Sequence, residues 1–137
     1  MNNPIPGSYQ IERQNNLLVV DARGPFDEEI AIRYQQDIEN VTSELNGQPW
    51  GILNTYYGNA VFTPEIEKRI IETTKYRITQ GLVATAAVFL ESAHADVQQM
   101  QLRRIYQQYR IPFHVFSDIS NAKIWLEQYL TQEKLCS

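Results

Sequence analysis

Cysteine is almost absent from this chain of 137 residues. The single thiol, Cys136, has no intramolecular partner, which excludes a disulfide framework and any cysteine-based metal site and makes a reducing compartment the expectation. Histidine is nearly as scarce, and His94 and His114 stand at no recognised metal-ligand spacing, so the sequence names no metal centre. The phosphate loops G-x-x-x-x-G-K and G-x-G-x-x-G are missing, and a G-x-S-x-G elbow is missing too. No cofactor is implied. Basic charge is short as well: twelve Lys and Arg against sixteen Asp and Glu leave a net charge of -4, which opposes a non-specific grip on nucleic acid or on an anionic membrane. The longest apolar run, residues 82–90, falls far short of the roughly 20 residues that span a bilayer, and Met1-Asn2-Asn3-Pro4 has neither a basic nor an apolar leader region. The expectation is a cytoplasmic protein with no integral membrane segment, folded as one domain over residues 1–137.

What is present is organised around residues 82–90. With period two, Leu82, Ala84, Ala86, Val88 and Leu90 point one way and Val83, Thr85, Ala87 and Phe89 the other, so both faces are apolar, as in a central strand covered on both sides. Helical patterns flank it directly, which implies a parallel sheet with crossover connections. Upstream, residues 9–14 and 17–22 are joined by Asn15-Asn16, a pair suited to a hairpin turn, and pair antiparallel with the first run at an edge. Asp27 caps a helix whose apolar stripe is Ile30, Tyr34, Ile38, Val41 and Leu45, stopped by Asn46-Gly47. Residues 50–56 form the third strand, with Gly51 leaving room for a close neighbour. Thr63-Pro64-Glu65 opens a second helix that buries Ile66, Ile70, Thr74 and Ile78 and ends at Gly81. Asp96 is expected to cap a third helix whose apolar positions are Val97, Leu102, Ile105 and Tyr109. After a strand at residues 112–116, a last helix buries Ala122, Trp125, Leu126 and Tyr129. The fold class is α/β, a five-stranded and mostly parallel sheet with an N-terminal β-hairpin and four helices in the order ββαβαβαβα.

This order, with Ala22-Arg23-Gly24-Pro25-Phe26-Asp27 at the end of the hairpin and Phe116-Ser117-Asp118 leading to Ala122, Trp125 and Leu126, resembles the STAS fold. The likeness is to its SpoIIAA-like, anti-sigma-factor-antagonist-like branch, whose relatives include lipid-binding CRAL-TRIO-type domains. The resemblance implies a bacterial regulatory or binding module and no catalysis. Partner-switching antagonists of this fold carry an Asp-Ser or Ser-Ser phosphorylation motif between the third strand and the second helix. Here Tyr57-Gly58-Asn59-Ala60-Val61-Phe62-Thr63-Pro64 holds no serine. Thr63 is the only hydroxyl at that helix start, and a capping role accounts for it fully.

Loops that follow parallel strands open at one edge of the sheet, where ligands bind. Two such loops place Tyr56, Tyr57, Asn59, Phe62 and Thr63 near Ser92 and His94, an aromatic patch with a few polar groups. The reading is a non-catalytic module that takes an unknown protein partner or a small apolar, lipid-like ligand there. A homodimer is also compatible with it. The alternative is a small enzyme using His94, although His94, Ser92 and Asp96 in one loop make a poor triad, because such groups come from separate loops. Arg103, Arg104 and Arg110 read as a solvated helix face.

Overall fold

The computed structural model describes residues 4–136, with side chains as far as residue 132. Residues 1–3 and the Cys136 thiol, both read above, lie outside the described residues. The elements are β1 (Ser8–Gln14), β2 (Leu17–Arg23), α1 (Glu28–Ser43), β3 (Trp50–Tyr57), α2 (Pro64–Thr79), β4 (Leu82–Leu90), α3 (Ala95–Gln107), β5 (Phe113–Phe116) and α4 (Ile119–Cys136). This is the expected ββαβαβαβα order. The sheet runs β1-β2-β3-β4-β5, antiparallel at β1–β2 and parallel elsewhere, with β4 inside it and β1 at an edge.

Local chemistry sets the boundaries. Asn15 takes the hairpin turn at φ 57°, a conformation its short side chain tolerates. The Asp27 carboxylate accepts from Ile30 N at 2.8 Å and starts α1, and Thr63 Oγ1 accepts from Ile66 N at 3.2 Å and starts α2 with Pro64 behind it. Gly81 ends the α2 connection at φ 109°, where a Cβ would stand 2.5 Å from the Gln48 carbonyl oxygen.

Two departures from the expected pattern concern α3 and α4. Asp96 lies in the first turn of α3, and the cap position belongs to His94, whose side chain makes no capping bond. Asn59 Oδ1 and Ser92 Oγ take the amides of Ala93 and His94, so the turn closes ahead of Asp96. The buried face of α3 is also rotated from the expected one: Val97 is exposed, while Gln98, Gln101, Leu102, Ile105 and Tyr106 are buried. Gln101 can enter because both its polar groups bond the Phe62 backbone, and Gln98 because its Oε1 accepts from Ser92, although its Nε2 has no partner among the described residues. On α4, Ala122, Leu126 and Leu130 are buried, but Trp125 and Tyr129 are only half-buried. They lean on the short edge strand β5, where Trp125 packs against His114 and Phe116 at ring distances of 4.8 Å and 5.8 Å.

A strand order equal to the chain order, with crossovers of one hand, places α1, α2 and α3 on one face and leaves α4 alone on the other. Ile38, Leu45 and Ile66, together with Leu102, Ile105 and Tyr106, meet Leu18, Val20, Ala22, Ile52, Tyr56 and Ala87 on the three-helix face. Ala122 and Leu126 meet Leu17, Leu53, Ala84, Ala86 and Val88 on the other. Gly51 is the close-neighbour position: a Cβ there would stand 3.2 Å from Leu126.

Candidate functional site

The pleat of the sheet decides which side chains meet. Register pairs Val20 with Asn54 and Ala22 with Tyr56, and all four point to the three-helix face at the C-terminal halves of β2 and β3. Above them α1 contributes Ile30, Ala31 and Tyr34, and α2 contributes Ile66, Ile70, Thr73 and Arg77. These side chains, with Tyr9, Phe26, Phe62, Leu102 and Tyr106, surround a cavity of about 60 Å³. Its walls are mainly hydrocarbon and aromatic ring. Phe62 packs against Tyr56 edge to face and against Phe26, each at 6.2 Å, which fixes the aromatic wall.

The cavity's charge comes from α2. Arg77 is 5% exposed, and no carboxylate oxygen among the described residues lies within 4.0 Å of it. Its guanidinium carbon stands 5.3 Å from the centre of the Tyr34 ring, a cation–π contact that stabilises the charge without neutralising it. Arg69, one of the other lining residues, differs: it is paired to Glu28 at 2.7 Å.

The phenols around Arg77 are neutral at physiological pH. Burial raises Tyr34, with Arg77 pulling the other way. Tyr56 is held well above its ordinary 10.0, chiefly by burial and then by the neighbouring phenols of Tyr106 and Tyr34. Burial pushes Tyr106 up to about 12, with Arg77 opposing. Tyr9 is raised by burial and by the Asp37 carboxylate, to which its hydroxyl donates at 2.5 Å. Tyr34 donates to Asn54 Oδ1 at 3.4 Å, whereas the hydroxyls of Tyr56 and Tyr106 have no hydrogen-bond partner among the described residues.

The residues expected at the sheet edge separate into three places. Tyr56 and Phe62 are buried and line the cavity. Tyr57 is the last residue of β3 and not part of a loop, because the parallel ladder carries on through Arg23, Tyr57 and Leu90. The alternation of the strand therefore sends Tyr57 to the α4 face, away from Tyr56, where the Arg23 guanidinium lies 5.5 Å over its ring and pairs with Glu91 at 2.6 Å. Asn59, Ser92 and His94 do come together. Asn59 Oδ1 accepts from Ala93 N at 3.1 Å and stands 3.3 Å from Ser92 Oγ, whose single proton goes to Gln98 Oε1 at 2.5 Å, and His94 joins only through its backbone amide. The His94 side chain is exposed and Thr63 caps α2 from the surface.

Arg77 is the residue that sequence reading missed. The signal was there: Ile66, Ile70, Thr73 and Arg77 recur at spacings of four, three and four, so the inward stripe of α2 runs into a cation. Among the described residues no group of three His, Cys, Asp or Glu side chains could hold a metal ion, and no helix is long and apolar enough to cross a membrane. No protein-family model matches this chain, and no curated protein compared with it matches either.

Proposed function

We propose that this chain is a binding module that encloses a small, largely apolar ligand between its three-helix layer and the sheet and does no chemistry on it. The observation that carries this reading is the cavity itself: aromatic and aliphatic walls, a few neutral hydroxyls, and one buried cation supplied by Arg77. Cores pack to high density with few voids larger than a water molecule, so a void held open by bulky side chains beside an unpaired cation supports a ligand role. The phenols facing it are too weakly acidic to serve as bases near neutral pH, and His94 lies on the surface outside the lining. The resemblance to SpoIIAA-like and CRAL-TRIO-type domains supports a regulatory or carrier role for such binding.

Native mass spectrometry of the protein purified from its own host tests the reading. A small-molecule adduct is expected on the wild type and not on Ala31→Leu, which fills the cavity from α1. An adduct that persists in Ala31→Leu would place the site elsewhere, at the Asn59–Ser92 edge or on the surface.

A further inference from the structure

We infer that the cavity is a receptor for a short-chain aliphatic carboxylate whose head group is bound by Arg77. This inference rests on the reading of the cavity as a ligand site. A buried guanidinium without a counter-charge is costly, because desolvation of an ion is repaid only by an opposite charge in good geometry. Tyr34 and the carbonyl end of α2 offset part of that cost, Arg77 lying in the last turn of the helix. Neither supplies a unit negative charge, and the surrounding phenols stay protonated. The missing partner is an anion, and the cavity is where there is room for it.

Charge count selects the class of anion. Among the described residues Arg77 is the only cation in the lining that lacks a carboxylate partner, since Arg69 is held by Glu28, so the site matches a single negative charge and opposes a phosphate dianion. The planar guanidinium fork suits the two oxygens of a carboxylate, and the unpartnered hydroxyls of Tyr56 and Tyr106 can donate to what it holds. The other end of the α2 stripe, Ile66 and Ile70, is hydrocarbon, so polar and apolar ends of the ligand have separate places. Volume selects the size: about 60 Å³ is well below the ~150 Å³ that admits a benzene ring, which excludes aromatic acids and acyl chains with as many heavy atoms as benzene and leaves an acid of about two or three carbons.

Isothermal titration with propanoate and with its neutral isostere, propanamide, tests this on the wild type, Arg77→Lys, Arg77→Met and Ala31→Leu. The acid is expected to bind the wild type at least about tenfold more tightly than the amide, a difference that 1.4 kcal/mol of differential interaction produces. Arg77→Lys should weaken it and Arg77→Met abolish the preference, while Ala31→Leu binds neither. In the absence of added acid, Arg77→Met should melt no lower than the wild type, because it removes an uncompensated charge; a lower melting temperature would make Arg77 a structural residue and overturn the inference. If acid and amide bind the wild type equally and Ala31→Leu loses both, the carboxylate inference fails while the cavity remains a ligand site. If neither binds and no adduct is retained in native mass spectra, both readings fail.

Discussion

The side chain of Gln101 holds the backbone of Phe62 by both its polar groups: Nε2 donates to the Phe62 carbonyl and Oε1 accepts from its N–H, each at 2.9 Å and buried. Through this pair α3 fixes the segment that enters α2 and sets the position of the Phe62 ring in the cavity wall. Gln101→Leu fills the same space but strands two buried backbone groups, and should destabilise the fold by about 2–4 kcal/mol. Gln101→Glu keeps an acceptor for the N–H but turns a second oxygen toward the Phe62 carbonyl and buries a charge, so it should lose at least as much. Urea melts check both, and a loss below about 1 kcal/mol for the leucine variant would show that water reaches Phe62.

Alkaline unfolding should expose the buried phenols. Tyr106 is raised from 10.0 to about 12 by burial, so the folded protein keeps a proton that the unfolded chain releases first. The stabilisation is complete below pH 10 and is lost as pH rises through 12, on the order of 3 kcal/mol for this residue. Tyr106→Phe should remove that part of the loss and flatten stability between those pH values, as read from denaturant melts at stepped pH.

Gly81 occupies a backbone conformation that side chains rarely adopt, directly against the Gln48 carbonyl. Gly81→Ala combines left-handed strain with a backbone clash and should cost roughly 2–4 kcal/mol in thermal or denaturant unfolding. The Gln48–Trp50 entry to β3 should be the part that loses amide protection against hydrogen exchange first.

Thr63 is solvent-exposed and bonded to Ile66 N, the geometry of a cap. Thr63→Ala should lower stability by about 0.5–2 kcal/mol, with Thr63→Ser and Thr63→Asp close to the wild type. Stoichiometric phosphate on Thr63 in protein from its host, found by peptide mapping, would show a regulatory role beyond capping.

The parts of the fold that sequence made legible are those whose cause is local or periodic. Residues 82–90 are apolar on both faces and could only be a covered strand; Asp27 and Thr63 announce their helices three residues ahead of the amides they accept. What escaped depends on tertiary partners. Gln98 and Gln101 look like the outer face of α3 until the loops that bond Gln98 Oε1 and both polar groups of Gln101 are in place. Tyr57 looked like loop because the ladder that extends β3 is supplied by β2 and β4. Trp125 was expected deep in the core, but β5 is four residues long and offers it only an edge. Of the expected site, Tyr56 and Phe62 do face a cavity, and the cation that gives it a chemistry sat unnoticed in a helix read for its isoleucines.

The arrangement of strands in chain order also bears on how the protein is made. Each strand that leaves the ribosome finds the strand it pairs with already made, although the three parallel pairings each wait for a whole helical crossover to be completed. The exception is the last helix. Until α4 has been synthesised, Leu17, Leu53, Ala86 and Val88 have no cover on their side of the sheet, and the nascent domain presents an apolar plane that chaperones and other unfinished chains can recognise.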